Sequence, residues 1–256
     1  MSPSLLQLAE EPFAHLPPAQ GWERIPRTGY VVSVRPPEAT VEAIRLDPCD
    51  VDDAVAATRD LAHTRGVEKV TWWVGSLSTP ADLAARLEQA GLAADPDDPR
   101  LAALALTHPP AGEPTVEVTR VRSEDEYLRA LEIGWECFAV PESERAQRLA
   151  AERAAWPQTA ADHTRADYIA CVDGEPAGSA RSVFASEAVL LLGGATLPRA
   201  RGRGVYTALV HARWRDAVER GTPTLVVGAG RMSRPILERL GFERLGEIRL
   251  LVDRLG

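Results

Sequence analysis

The alternation of apolar and polar positions divides the chain into short strand-like runs and longer helix-like ones. In the first part, "GYVVSV" (29–34), "KVTWWVG" (69–75) and "LAALALT" (101–107) have the β-branched, aromatic and apolar content of strands. "DVDDAVAATRDLAHTRG" (50–66) predicts a helix with an Asp-rich start and a glycine stop. "TPADLAARLEQAGL" (79–92) predicts another, with Thr79 as cap, Pro80 at the first position and Asp82 in the first turn.

The second part opens on a strand, "VEVTRV" (116–121), followed by helices over "SEDEYLRALEIGWECF" (123–138) and "ESERAQRLAAERAAW" (142–156). Three strands come next, "DYIACVDG" (167–174), "PAGSARSVF" (176–184) and "AVLLLGGATL" (188–197). A long helix (203–221), the strand "TLVVGA" (224–229), a short helix "SRPILERLG" (233–241) and a last strand "GEIRLLVD" (246–253) complete the pattern. Between the parts, "THPPAGEPT" (107–115) is dense in Pro and Gly, as a linker is. It predicts a boundary near Gly112, with domains over 1–112 and 113–256. "VTWWVG…LAARLEQAGL" and "TLVVGA…ILERLGF" share one order, a buried strand and then a Leu-rich helix ending in Gly and an apolar residue. This is a weak internal repeat, open to chance.

Composition narrows the picture. Hydrophobic residues make up 45% of the 256, a globular share. The net charge of -8 and pI near 5.3 argue against general nucleic-acid binding, which needs a basic face. No apolar run approaches a membrane span, roughly 20 residues. The N-terminus lacks the basic region of a secretory signal. Cys49, Cys137 and Cys171 are an odd, widely spaced set with no disulfide or metal spacing. The expectation is a protein of the reducing cytoplasm without a metal.

The stretch with distinct chemistry is "RARGRGVYTALV" (199–210). The start of a helix leaves about four N–H groups unpaired and carries the positive end of its dipole. An anion satisfies both, and glycine lets the backbone approach it. Gly202 and Gly204 supply that freedom; Arg199, Arg201 and Arg203 add charge. The plainer reading is a solvated, arginine-rich helix start. No G-x-x-x-x-G-K-[ST] is present, which excludes an ordinary P-loop. "TLVVGAGRMS" offers Gly228-x-Gly230-x-x-Ser233 with Asp253 after a later strand, which mimics a dinucleotide fingerprint. The chain stops at Gly256, three residues after the last predicted strand, so the expectation is that half of the required sheet is missing.

The arginine–glycine loop after the Gly193–Gly194 strand, together with "SRPILERLGFERLGEIRLLV" downstream, resembles the GCN5-related N-acetyltransferase (GNAT) family over nearly every element from Val116 to Asp253. The family signature is [QR]-x-x-G-x-[GA]. Arg199-x-x-Gly202-x-Gly204 fits its letters. Arg201-x-x-Gly204-x-Tyr206 fits its surroundings, with Pro198 and Ala208-Leu209 in place, and is preferred; it departs from the pattern at Tyr206. The resemblance implies an α/β fold (α+β, mixed sheet), GNAT in the C-terminal half. The N-terminal half would be a partial, degenerate GNAT-like unit in a tandem arrangement, without nucleotide. It implies acetyl-CoA as co-substrate, held by Gly194, Ala195, Thr196, Arg201, Gly202, Arg203, Gly204, Val205, Tyr206 and Thr207. It implies N-acetylation of a small-molecule or peptide amine, with no nucleic-acid, membrane or metal partner, and allows a homodimer.

The catalytic residues are unknown at this stage. Where many family members place a tyrosine acid stands Leu237, and Gly230 stands where asparagine is common. Glu132 and Glu136 lie one helical turn apart, with a solvated face as the plainer reading. Tyr206 and the tryptophans Trp72, Trp73, Trp135, Trp156 and Trp214 are expected to pack, His211 to face outward, Cys137 to be core and Ser233 to cap the last helix. An α-amine needs only about 1 kcal/mol to deprotonate at neutral pH, against roughly 4–5 for a lysine-like amine, so a site poor in acid–base groups suits the former. The second reading is a non-catalytic acyl-CoA-binding or interaction module that keeps the fold.

Overall fold

The computed structural model describes residues 3–18 and 21–255. The chain forms two compact units: Met1–Ala105 with Val227–Leu237 and Glu243–Gly256, and Leu106–Val226 with Glu238–Phe242.

The first unit begins with α1 (Leu5–Glu10), closed by a reciprocal capping box between Ser4 and Gln7, and α2 (Pro12–His15). β1 (Glu23–Arg27), β2 (Tyr30–Arg35) and β3 (Glu38–Glu42) form an antiparallel meander. α3 (Val51–Arg65) ends at Gly66, whose φ of +65° gives the left-handed stop that the sequence predicts. The chain thus returns to lay β4 (Lys69–Val74) parallel to β3. α4 (Leu83–Gln89), β5 (Ala93–Ala94) and β6 (Arg100–Leu106) follow.

Thr79 does not cap α4, which starts four residues later. Its N–H is bonded to the Ile44 carbonyl at 3.0 Å and its hydroxyl to the Leu46 carbonyl at 3.1 Å, so both groups are committed to an extended segment. α1, α2, β1 and β3 have no counterpart in the sequence reading. β1 ("ERIPR") carries three charged residues and a proline, which hide strand periodicity, whereas β3 ("EATVE") does alternate polar and apolar residues but only over five positions.

The second unit contains β7 (Glu117–Arg120), α5 (Glu124–Cys137), α6 (Glu142–Ala161), β8 (Arg165–Val172), β9 (Glu175–Phe184), β10 (Val189–Thr196), α7 (Val205–Glu219) and the start of β11 (Leu225–Ala229). Its strand order is β11-β10-β9-β8-β7. Ser123 and Glu126 cap α5 reciprocally. Asp173 and Gly174, at φ of +54° and +81°, close the β8–β9 hairpin as a tight Asp-Gly turn. β8–β9–β10 is an antiparallel meander, α7 crosses over, and β11 pairs parallel to β10. That order, meander then helix then parallel strand, is the order of β1–β2–β3, α3 and β4. The repeat seen faintly in the sequence is therefore one of topology.

α8 (Arg234–Arg239) and β12 (Glu243–Arg254) close the chain. β12 is a central strand of the first unit, antiparallel to β4 over Arg249–Arg254 and to β6 over Glu243–Arg249. Leu251 joins the core of Val41, Trp72, Leu83 and Leu87. Asp253, 7% exposed, accepts from Arg59 at 2.7 and 3.2 Å. Residues 227–237 and 243–256 thus pack with the N-terminal unit, whereas a single cut near Gly112 assigns them to the second domain. The dinucleotide mimic also falls away. β12 is antiparallel to its neighbours, and Asp253 is held by an arginine rather than offered to a ribose. No helix among the described residues is long and apolar enough to cross a membrane.

β12 buries Ile248, Leu250, Leu251 and Val252. At roughly 1.5–3 kcal/mol each, their burial approaches the whole stability of a domain, about 5–15 kcal/mol. A chain ending at residue 242 is expected to lose the first unit, read as rapid limited proteolysis between β1 and β6. An unchanged melting curve for that chain would contradict this.

Candidate functional site

The second unit brings a strand bulge, a glycine-rich turn and a helix start together. β10 pairs regularly with β9 through Leu192↔Arg181, then resumes at Ala195↔Ser179 with a shifted register. The interruption is Gly193–Gly194, with Gly193 exposed at φ +55°. Such a bulge bends the strand and frees backbone groups from the ladder. On its other edge β10 pairs with β11 only at Val189↔Leu225 and Leu190↔Val226.

Beyond β10 a short 3-10 turn (Pro198–Ala200) leads through Gly202, at φ +76°, to Gly204, at φ +80°. Gly204 is the N-cap of α7, and no side chain caps that end. Ala208 N–H is the first to reach back, to the Gly204 carbonyl at 2.9 Å. The N–H groups of Val205, Tyr206 and Thr207 precede it and stand at the positive end of a 15-residue helix. Two of the three loop arginines are tethered. Arg199 donates to the Pro176 carbonyl at 3.0 Å, and Arg203 pairs with Asp173 at 2.9 Å on the surface. The Arg201 side chain makes no hydrogen bond or ion pair among the described residues.

Tyr206 lies in the first turn of α7 and turns toward β10. A Cβ on Gly194 would sit 2.7 Å from its ring. Gly194 therefore makes the room that the Tyr206 ring needs. Below it, Arg213 is 1% exposed and donates to the Leu209 carbonyl at 3.0 Å. Burial lowers its pKa from the usual arginine range. Tyr168 donates to Asp216 at 2.6 Å, and burial with that carboxylate raises its pKa.

On the opposite face of the sheet, a cleft of about 180 Å³ opens between α5 and the strands. Leu131, Trp135 and Phe138 form one wall; Ser179, Arg181 and Gly193 form the other. Phe138 is 61% exposed, unusual for so large an apolar side chain. The cleft also reaches an ion triad that the sequence reading missed. Asp167 accepts from Arg165 at 2.8 Å and from Arg181 at 2.8 Å. Burial alone would raise the Asp167 pKa; the two guanidinium groups, Arg181 first, overcome this and hold it below the usual aspartate value. The available signal was strand alternation: Arg165 and Asp167 are two residues apart on one face of β8, where an apolar pair would be ordinary.

The other candidates separate. Glu132 pairs with Arg129 at 3.2 Å on the surface, Glu136 is exposed, and neither lines the cleft. Cys137 packs on Ile133, Ala195 and Leu197, and burial pushes its thiol pKa up. His211 is half-buried, not outward-facing, and its Nε2 is buried without a partner among the described residues. Trp72 is core and Trp156 stacks on Tyr127 at 5.3 Å, whereas Trp135 lines the cleft. Leu237 is fully buried. A side chain at Gly230 would have to displace the Asp98 carboxylate, which lies against that position. Ser233 donates to the Gly230 carbonyl at 3.4 Å rather than capping α8. Among the described residues no group of His, Cys, Asp and Glu could hold a metal.

Residues 127–242 match the model of the Acetyltransferase (GNAT) family, and this stretch is a GNAT domain. Structures similar over the whole chain include a GCN5-related N-acetyltransferase from Kribbella flavida, with TM-score 0.71 and 18% identity over 98% of this chain and 96% of that one. A functionally unknown conserved protein from Staphylococcus epidermidis matches with TM-score 0.68 and 10% identity, covering 96% and 99%. A tandem GNAT protein from the clavulanic acid biosynthesis pathway matches with TM-score 0.62 and 16% identity, covering 100% and 90%. At these identities the likeness is one of fold. No curated protein matches the chain.

Replacing Asp167 leaves two arginines without their shared partner. Asp167→Asn is expected to cost about 3–5 kcal/mol in urea unfolding at neutral pH. The lowered pKa means this stability is present above the unfolded-state value and is lost as pH falls through the folded one. The gap between wild type and variant should therefore close in strong acid. A gap independent of pH would contradict the assignment.

Proposed function

We propose that the protein is an acetyl-CoA-dependent N-acetyltransferase, with the N-terminal unit a degenerate GNAT copy that binds no nucleotide. The observation that carries this reading is the uncapped start of α7 beside the β10 bulge, within a GNAT domain. The residues suit coenzyme A. Its diphosphate would take the N–H groups of Gly202 through Thr207 and the unpaired Arg201. The pantetheine arm would run along Gly194, Ala195 and Thr196. Acetyl-CoA, when bound, supplies the acyl carbon and the thiol leaving group.

The chain's own part is to orient and to dry the reaction. Free backbone at the bulge is placed to hold the arm, and Trp135, Phe138 and Leu131 offer an apolar wall to an amine. Asp167 is neutralised by two arginines and makes a poor base, so the reading favours an acceptor that is substantially neutral near pH 7, such as an α-amine, with its proton passing to water. The acceptor is a small-molecule or peptide amine. Nucleic acid, membrane and metal have no part in this reading, which allows a homodimer and fits three free cysteines in a reducing cytoplasm. The buried Leu237 favours the second reading, a non-catalytic acyl-CoA-binding module; thiol release with a panel of amines separates the two.

A ligand that binds only the folded state stabilises it by about 2.7 kcal/mol at roughly 100 times its Kd, or about 5–10 °C of melting temperature at this size. Acetyl-CoA should produce that shift, and NAD should not. Gly204→Glu should abolish it, by placing a negative side chain at the helix entrance. Arg201→Ala should reduce it, and Arg203→Ala should reduce it less, because Arg203 is already paired with Asp173. A shift that survives in Gly204→Glu places the cofactor elsewhere.

A further inference from the structure

A second hollow, of about 310 Å³, lies at the start of β8 in the same unit. Arg120, Arg122, Arg165, His163 and Trp156 line it, and Asp167 lines both it and the α5 cleft. Arg165 is 8% exposed, which is nine-tenths buried. One of its terminal nitrogens donates to Asp167, but its Nε is buried with no hydrogen-bond partner among the described residues. An unmatched donor on a buried guanidinium is costly to keep, and an acceptor arriving from the hollow would match it.

Charge points the same way. The two carboxylates on the wall are engaged. Asp167 is shared between Arg165 and Arg181, and Asp162 accepts from Thr164 N–H and hydroxyl at 2.8 and 2.6 Å. Glu126 accepts from the backbone of Arg122 and Ser123, and Arg120 stands 3.9 Å from Asp216. Three arginines line the hollow against two carboxylates, both of which are already engaged. The fold itself gains little from charges on an inner strand face, where apolar side chains of like size serve as well or better.

We infer that this hollow binds a carboxylate or phosphate carried by the amine acceptor, so that the substrate is an amine bearing an anionic group. The inference rests on the acetyl-transfer reading for the amine end. Asp167, Arg181 and Leu192 are register partners across β8, β9 and β10, and Arg165 is two residues along β8 from Asp167. Strand spacing and rise place the hollow roughly 10 Å from the bulge, which is the separation required between amine and anion.

The test compares glycyl-β-alanine, glycyl-γ-aminobutyrate and glycyl-ε-aminocaproate, whose reacting groups are α-amines, with their amides, and with the matching glycyl aminoalkyl phosphates, in a thiol-release assay. Titration calorimetry with hexanoate and hexyl phosphate, which have no amine, reads the hollow by itself. Wild type should prefer an anionic amine over its amide by about 10-fold or more in kcat/KM, the longer chains most. In Arg122→Ala and Arg165→Met that ratio should collapse toward one, and the binding heat of hexanoate or hexyl phosphate should disappear. Arg122 is exposed, so its variant reports even if Arg165→Met does not fold. Equal use of acid, phosphate and amide, with no heat from either anion, would overturn the inference. Anion binding that is lost in Arg122→Ala, with no acetyl transfer to any amine, would sustain the anion site and sink the acetyl-transfer reading instead.

Discussion

The organisation of the second unit depends on a set of backbone donors that the chain leaves unmatched. A side chain closes some helix starts of this chain, as Ser4 and Ser123 do for α1 and α5 with full capping boxes, while α2, α3, α4 and α6, like α7, have no side-chain cap. At α7 it places glycine instead, after a turn that only positive φ permits. The cost of open donors is tolerable where a ligand completes them. The features around it serve that opening. The β10 bulge interrupts the ladder ahead of it, Gly194 gives way to Tyr206, and Arg199 and Arg203 fasten the loop to the β8–β9 hairpin while Arg201 stays free.

Much of this was legible in the sequence because it rests on local rules. The glycines at 202 and 204, the helix that follows and the double glycine before it are each readable from residue type and spacing. The second-unit strands matched their periodicity closely. What was not legible came from distant partners. Thr79 looked like a cap until Ile44 and Leu46 claimed its donors. β12 looked like the end of the second domain, since nothing in "GEIRLLVD" says which strands will flank it. The Arg165–Asp167–Arg181 triad joins two strands whose register no single-sequence pattern gives. Its trace, charge at inward positions of β8, reads as solvated until burial is known.

The two faces of the second unit divide the chemistry. The α7 face holds Tyr168, Asp216 and Arg213 as a polar layer between that helix and the strands. The α5 face holds the aromatic wall and the ion triad. Both groups ride on alternate residues of the same strands, so the strand period of two sets which side chain serves which face. A slip of one residue in β8 would exchange Tyr168 for Asp167 and destroy both.

The membership of β12 in the first unit has a consequence for how the protein is made. Synthesis proceeds from the N-terminus, and domains generally fold as units as they emerge. Here the first unit cannot. Its strands β4 and β6 are translated more than a hundred residues before the strand that fills the space between them. During that interval two apolar ladder edges stand open on the nascent chain, while the GNAT domain is completed downstream. The N-terminal unit, first to be synthesised, is the last able to close.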